Sequence, residues 1–178
     1  MATYIAFLRA LNVGGRFVKM DALRAGLSHK GFGDVESYIQ SGNVRFTSSL
    51  RSADKVELAM ETALEELCGF TVRTMVRTPA QLGEVASYGA DLATPLDGDV
   101  RRYVAFLKED PDDELRVMMN GWDVAGERAH VDGREVYLWL AHPSHEAKLT
   151  NARIERRGVV ATTRDWKVVA ALGEKWGS

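Results

Sequence analysis

A chain of 178 residues with 46% hydrophobic content is long enough to bury one core, or two small ones that share it, so a globular fold is expected. A formal charge of −2 and a pI near 6.1 exclude bulk attraction to nucleic acid, and a single cysteine, Cys68, excludes an internal disulfide and a cysteine-rich zinc site. No apolar run approaches the roughly 18 residues of a membrane span, and Met1-Ala2-Thr3-Tyr4 leads straight into a strand pattern, so no membrane association and a cytoplasmic location are expected.

Residues 3–9 are apolar on both alternating faces, with Tyr4, Ala6 and Leu8 on one and Ile5 and Phe7 on the other, which predicts a central strand. A polar segment, Asn12-Val13-Gly14-Gly15-Arg16, follows. Met20, Leu23 and Leu27 then mark one side of a helix over 20–30, with Gly31 as its stop. Residues 35–40 and 44–47 flank Ser41-Gly42-Asn43, a hairpin turn. Ser52 is placed to cap the next helix, whose apolar stripe is Val56, Met60, Ala63, Leu64 and Leu67, with Glu57, Glu61 and Glu65 outside. Cys68 falls where that helix ends and is expected as a buried structural thiol. An alternating strand is expected over 70–77, and Thr78-Pro79-Ala80-Gln81 is a capping box with proline at the first helical position.

Residues 89–98, with Pro95 and Asp97-Gly98-Asp99, are irregular and mark the boundary between halves. Tyr103-Val104-Ala105-Phe106-Leu107-Lys108 then nearly repeats Tyr4-Ile5-Ala6-Phe7-Leu8-Arg9. A short helix over 113–119 leads to a second hairpin, 128–131 and 135–140, joined through Asp132-Gly133-Arg134. Pro143 and Ser144 open a further helix, 159–161 form a short strand, and Thr162-Thr163-Arg164-Asp165 resembles a capping box before a final helix over 166–176. The expected class is α+β: two ferredoxin-like halves, βαββα plus a strand, over 1–90 and 91–178, joined in one compact two-part domain with a C-terminal helix.

The Asn12 to Arg16 segment lies between a buried strand and a helix, where free backbone N–H groups can hold an anion, although it is neither G-x-G-x-x-G nor a P-loop. A connection of that length is more than a turn requires. The charge distribution adds a second indication: residues 84–114 are strongly acidic, whereas 148–167 carry Lys148, Arg153, Arg156, Arg157, Arg164 and Lys167 against Glu155 and Asp165. His142-Pro143-Ser144-His145-Glu146 lacks the spacing of a helix-borne zinc pair, and no metal or cofactor motif is found.

The run Tyr4-Ile5-Ala6-Phe7-Leu8-Arg9-Ala10-Leu11-Asn12-Val13-Gly14-Gly15, then Tyr38-Ile39-Gln40-Ser41-Gly42-Asn43-Val44 and a late Ala161-Thr162-Thr163-Arg164-Asp165-Trp166, resembles the bacterial domain of unknown function 1697 (DUF1697) over essentially the whole chain. The family pattern has glycine where Ala10 stands, isoleucine at Leu11, and asparagine at Asp165 and Lys167. The resemblance implies two ferredoxin-like halves and brings no established reaction, substrate or cofactor.

Within that pattern the candidate ligand-binding residues are Arg9, Asn12, Gly14, Gly15, Ser41, Asn43, Arg164 and Asp165, with Gln40 beside them. The leading expectation is a binding module that presents the Asn12 to Arg16 loop to a small anionic ligand or a protein partner. The alternative is an enzyme acting on a small phosphorylated or carboxylated substrate, with the loop as cradle and Ser41 or Asp165 as reactive partner. A sheet-face binder of single-stranded RNA comes third, because no RNP-like run is present; nucleic acid is therefore not the expected partner. Nothing in the sequence selects an oligomeric state.

Overall fold

The structure is a computed structural model that describes all 178 residues. It divides into two compact units, residues Met1–Gly83 with Glu174–Ser178, and Glu84–Gly173. No helix is long and apolar enough to cross a membrane.

The first unit contains β1 (Ala2–Leu8), α1 (Met20–His29), β2 (Gly33–Tyr38), β3 (Asn43–Ser48), α2 (Ala53–Cys68) and β4 (Thr74–Arg77), followed by the start of α3 (Pro79–Asp91). Its antiparallel sheet has the order β2-β3-β1-β4, the ferredoxin-like arrangement, with β1 central as its two apolar faces require. Tyr4, Ala6 and Leu8 join Leu23 and Leu27 of α1 and Val56, Met60 and Leu64 of α2 in one core. Ile5 and Phe7, on the opposite face, are also fully buried. Near that face the end of the chain contributes Trp176, whose ring meets Tyr38 edge-on at 6.4 Å. The helix α2 ends at Gly69, whose left-handed φ of 76° lets its N–H reach Glu65 O.

Several expectations for this unit are corrected. Glu57 is buried rather than outside, and its carboxylate accepts from Val76 N at 2.9 Å; Glu61 accepts from Thr74 N at 2.9 Å. The reason is that β4 is an edge strand, so its outward N–H groups need acceptors that no neighbouring strand supplies. Leu67 is 40% exposed, Ser52 precedes α2 without a side-chain cap, and the strand after α2 starts at Thr74 rather than Phe70. The capping box forms as expected: Thr78 N donates to Gln81 Oε1 at 2.9 Å, and Gln81 N to Thr78 Oγ1 at 3.2 Å.

The second unit repeats the order with β5 (Arg101–Leu107), α4 (Asp113–Asn120), β6 (Glu127–Asp132), β7 (Glu135–Leu140), α5 (Asn151–Glu155), β8 (Ala161–Asp165) and most of α6 (Trp166–Trp176). Its sheet order, β6-β7-β5-β8, is the same, and the short sequence repeat holds in register: Ile5 pairs with Arg77 on β4, and Val104 pairs with Arg164 on β8. Ala105, Leu107, Leu115, Val136 and Ile154 build its core.

Here too the chain departs from expectation. Pro143 and Ser144 open only a 3-10 turn, Ser144–Glu146, and the helix comes later, where Thr150 Oγ1 accepts from Arg153 N at 3.2 Å. Thr162 to Asp165 form a strand instead of a capping box, since they pair with Tyr103 to Phe106 of β5. The cap on α6 is Asp165 itself, which accepts from Lys167 N at 2.8 Å.

Candidate functional site

After β1, Arg9 N continues the sheet to Arg73 O at 2.8 Å, and Leu11 turns back into the core. Asn12 then spends both ends of its amide: Oδ1 accepts from Val18 N at 2.7 Å, and Nδ2 donates to Gln40 O at 2.8 Å. The first bond closes the loop on itself, and the second ties it to the β2–β3 hairpin. The glycine loop and the hairpin turn therefore meet at one end of the first sheet, where Leu8 N also donates to Gly42 O at 2.8 Å. Gly42 is required there, because its φ is 80° and a Cβ would stand 3.0 Å from that of Leu8.

Beyond Asn12 the loop projects outward. Gly14 and Gly15 have φ of 62° and 82°, and no atom lies within 4 Å of where a Cβ would be, so they form an open tip rather than a cradle. The flanking apolar residues are exposed, Val13 at 53% and Phe17 at 69%, while the Arg16 guanidinium rests 4.3 Å over the ring of Phe70. Across the Asn12 tie, Ile39 is 49% exposed and holds a left-handed φ of 50°. A β-branched residue in that conformation carries strain of about 1–3 kcal/mol.

In the hairpin turn Gln40 and Ser41 are exposed, and only Asn43 faces inward. Asn43 is fully buried, and its Nδ2 donates to Ser41 Oγ at 2.8 Å and to Tyr38 O at 3.1 Å, which shapes the turn. Arg164 and Asp165 lie in the second unit, at the end of β8. Arg164 is buried and donates to Thr162 Oγ1 at 2.8 Å and Thr163 O at 3.0 Å; burial pushes its pKa down to about 10. It is a framework cation, not a solvent-facing anion receptor. In the basic stretch before it, Arg157 pairs with Asp112 and Glu114 and Arg153 lies 5.4 Å over Trp122, whereas Lys148 and Arg156 are exposed.

The sequence alone did not reveal a pocket of about 340 Å³ beside the loop, lined by Lys19, Asp21, Arg24, Ser37, Ile39 and Gln40. Its cations differ in availability. Arg24 bonds Asp21 and Ser37, whereas Lys19 is exposed and precedes α1 without a side-chain cap on that helix. The only available signal was Lys19 at a position where Ser, Thr, Asp or Asn would normally stand. Cys68 is half-buried, and burial raises its thiol pKa, which disfavours a nucleophilic thiolate. His142 Nε2 contacts Glu127 Oε1 at 3.1 Å, and no three His, Cys, Asp or Glu side chains group as a metal site.

A conserved bacterial protein from Streptococcus pneumoniae has a solved structure that matches with a TM-score of 0.71 at 24% identity, covering 100% of this chain and 99% of that one, a likeness of fold. None of the curated proteins matches the chain significantly. The family model described as protein of unknown function (DUF1697) matches residues 1–137, which takes in the glycine loop and both hairpins up to Tyr137 but stops before the Ala161 to Trp166 motif. With more than half its length so matched, the chain belongs to the DUF1697 family.

Proposed function

We propose that the protein is a binding module whose recognition element is the Asn12 to Arg16 loop, and that its ligand is a protein partner. The observation that carries this reading is the anchored but outward-facing loop: Asn12 fixes its base, while Val13 and Phe17 stay in solvent on either side of two open glycines. Apolar side chains held in water on a tethered loop favour association, since burying each removes apolar surface from water. The open tip gives no enclosure for a small anion, so the anion form of the reading shifts to the adjacent pocket with Lys19.

The enzyme alternative has less support. Ser41 Oγ accepts from Asn43 Nδ2, and Asp165 is occupied as a helix cap, so neither is paired with a base that would activate it. A sheet-face RNA site would need exposed rings, but Phe7, Tyr137 and Trp139 are buried.

A photoreactive phenylalanine analogue at Phe17 tests the reading, with the same analogue at the highly exposed Val117 of α4 as reference. One discrete adduct at position 17, competed by excess unmodified protein and lost in Gly14→Val/Gly15→Val, is the expected result. Identical adduct patterns at both positions, or none at position 17, would overturn it. Calorimetry with phosphate and carboxylate metabolites on wild type and Lys19→Glu tests the anion form separately.

A further inference from the structure

The second unit holds a cavity of about 450 Å³ that the family assignment does not explain, formed by Asp99, Arg101, Arg102, Asp165, Trp166 and Lys167. It sits where β5 begins and α6 starts, and its volume is within the range of small-molecule sites, about 300–1,000 Å³.

Its charges are unevenly satisfied. Arg102 is partly buried, lies 4.5 Å over the ring of Trp166, and donates to Gly89 O, but it has no carboxylate partner. Burial lowers its pKa, the expected response of a cation removed from water without a counter-charge. Arg101 and Lys167 are exposed on the same cavity and are not ion-paired either. Of the two acids, Asp165 is committed to the N–H of Lys167, which leaves Asp99 with a free carboxylate. The cap on α6 is thus already filled, so attraction for an anion comes from the three cations and not from the helix terminus.

A second unmatched donor lies beside Arg102. Trp139 pairs with Arg102 in register, so their side chains share one face of the sheet, and the buried Trp139 Nε1 makes no hydrogen bond.

We propose that this cavity binds a small phosphate monoester that carries hydroxyl groups, with Arg102, Arg101 and Lys167 on the phosphate and Asp99 accepting from a hydroxyl. Arginine suits the phosphate, because its planar fork presents several N–H donors and keeps its charge, and stacking on Trp166 holds that fork in place. Three cations against one uncommitted acid favour a dianion, and the remaining acid gives selectivity for a polyol over bare phosphate.

Titration of the full chain with inorganic phosphate, glucose 6-phosphate and glucose, followed by the indole N–H resonance of Trp166, tests the site. Saturable shifts with glucose 6-phosphate and none with glucose are expected. Arg101→Glu and Lys167→Glu, both on exposed positions, are expected to weaken binding at least tenfold, whereas Lys55→Glu, on the exposed side of α2 in the first unit, leaves it unchanged. Asp99→Asn is expected to weaken glucose 6-phosphate several-fold without altering inorganic phosphate. Absence of a saturable shift with either phosphate, or affinity unaffected by both Glu variants, overturns the site; equal response of both phosphates to Asp99→Asn overturns the assigned role of Asp99.

Discussion

In the first unit the central strand reaches its helix through residues 9–19, and in the second the equivalent strand does so through 108–112. Around that difference two backbone bonds recur in both units. Arg9 N to Arg73 O matches Lys108 N to Val160 O, and Leu8 N to Gly42 O matches Leu107 N to Arg134 O. Each unit also ties loop to hairpin with one side chain, but from opposite sides. In the first, Asn12 on the loop donates to Gln40 O of the hairpin; in the second, Arg134 on the hairpin donates to Lys108 O of the loop. The shared frame is what two ferredoxin-like sheets need to close. The Asn-Gly-Gly segment lies outside it, so its length is not explained by the fold, and that is why the loop is the first place to look for a partner.

The largest separation between the units should come from the residue just before or at the start of the hairpin's first strand. There the first unit has Phe32, packed edge-on against Phe46 at 5.2 Å, and the second has Glu127, a buried carboxylate. Glu127 accepts from Trp122 Nε1 at 3.0 Å, Lys148 N at 2.7 Å and Leu149 N at 2.9 Å, besides its contact with His142, and so holds the chain between β7 and α5. Glu127→Ala strands those donors and is expected to cost about 3–5 kcal/mol in chemical denaturation. Phe32→Ala is expected to cost a similar or somewhat smaller amount, about 3 kcal/mol, through lost packing.

Acid distinguishes the two. Burial pushes the Glu127 carboxyl up, but the N–H groups of Lys148, Trp122 and Leu149, with His142, outweigh it and hold the carboxyl below its ordinary value. The unfolded chain therefore binds the proton more readily than the native one. The stabilisation is complete above the ordinary glutamate pKa and is lost as pH falls through the depressed native value. A Glu127→Gln variant should flatten that acid limb of the stability profile, while Phe32→Ala should shift the profile without changing its shape. An unchanged acid limb in Glu127→Gln would show that other carboxylates govern it.

The buried arginines test whether the repeat is energetic as well as geometric. Arg77 and Arg164 occupy equivalent register positions, opposite Ile5 and Val104, and each donates to the preceding carbonyl, Val76 O at 2.9 Å and Thr163 O at 3.0 Å. Replacing either by Ala leaves that carbonyl without its side-chain donor, and each is expected to lose about 1–3 kcal/mol, within error of the other. A large inequality between the two midpoints would mean that the units have diverged in how they use the shared cation.

How far this was legible in the sequence depends on whether a feature is local. The strand of residues 3–9, the Thr78 capping box and the Gly69 stop are set by neighbours in the chain, and periodicity or residue type exposes them. Glu57 and Glu61 looked like solvated helix positions because their partners, the outward N–H groups of β4, exist only once the sheet order leaves that strand at an edge. Thr162-Thr163-Arg164-Asp165 fits a capping box by residue type, although threonine suits a strand equally well and pairing with β5 decides the matter. The meeting of loop and hairpin turn likewise depends on the β1–β3 register, which places Phe7 against Asn43 and so brings Gln40 within reach of Asn12. The cavity at Arg102 was the least visible, since its residues come from 99–102 and 165–167 and become neighbours only through the β5–β8 pairing.

Loosening the tie itself is a smaller perturbation with a more local readout. Asn12→Ala removes two hydrogen bonds from a partly exposed residue and is expected to cost about 1–2 kcal/mol. Hydrogen exchange should accelerate at Val18, whose N–H loses its acceptor, and spread through 13–17, while β1 and β3 stay protected. Arg134→Ala, which cuts the opposite tie in the second unit, should leave the short 108–112 connection almost as protected as before, because fewer residues are free to open. If both variants produced the same exchange pattern, the longer first loop would owe its order to something other than Asn12.

The smallest expected effects compare the helix caps that follow the two edge strands. Thr78, directly after β4, and Asp165, the last residue of β8, stand at equivalent positions just before α3 and α6, and they satisfy the helix by different means. Thr78 works within a reciprocal pair with Gln81, of which Thr78→Ala removes the bond from Gln81 N to the hydroxyl and keeps the one from the backbone N–H of residue 78 to Gln81 Oε1, whereas Asp165 accepts from one N–H and adds a negative charge at the positive end of the helix. Each Ala variant should cost about 1 kcal/mol, and only the Asp165 effect should shrink in high salt, because it alone contains a charge–dipole contribution. Ser52→Ala provides the baseline: Ser52 precedes α2 without making a side-chain cap bond, so the change should stay within about 0.5 kcal/mol of wild type. Thermal denaturation of the three variants at low and high salt measures the series, and a salt-sensitive loss in Thr78→Ala would contradict the assignment of a purely hydrogen-bonded cap to α3.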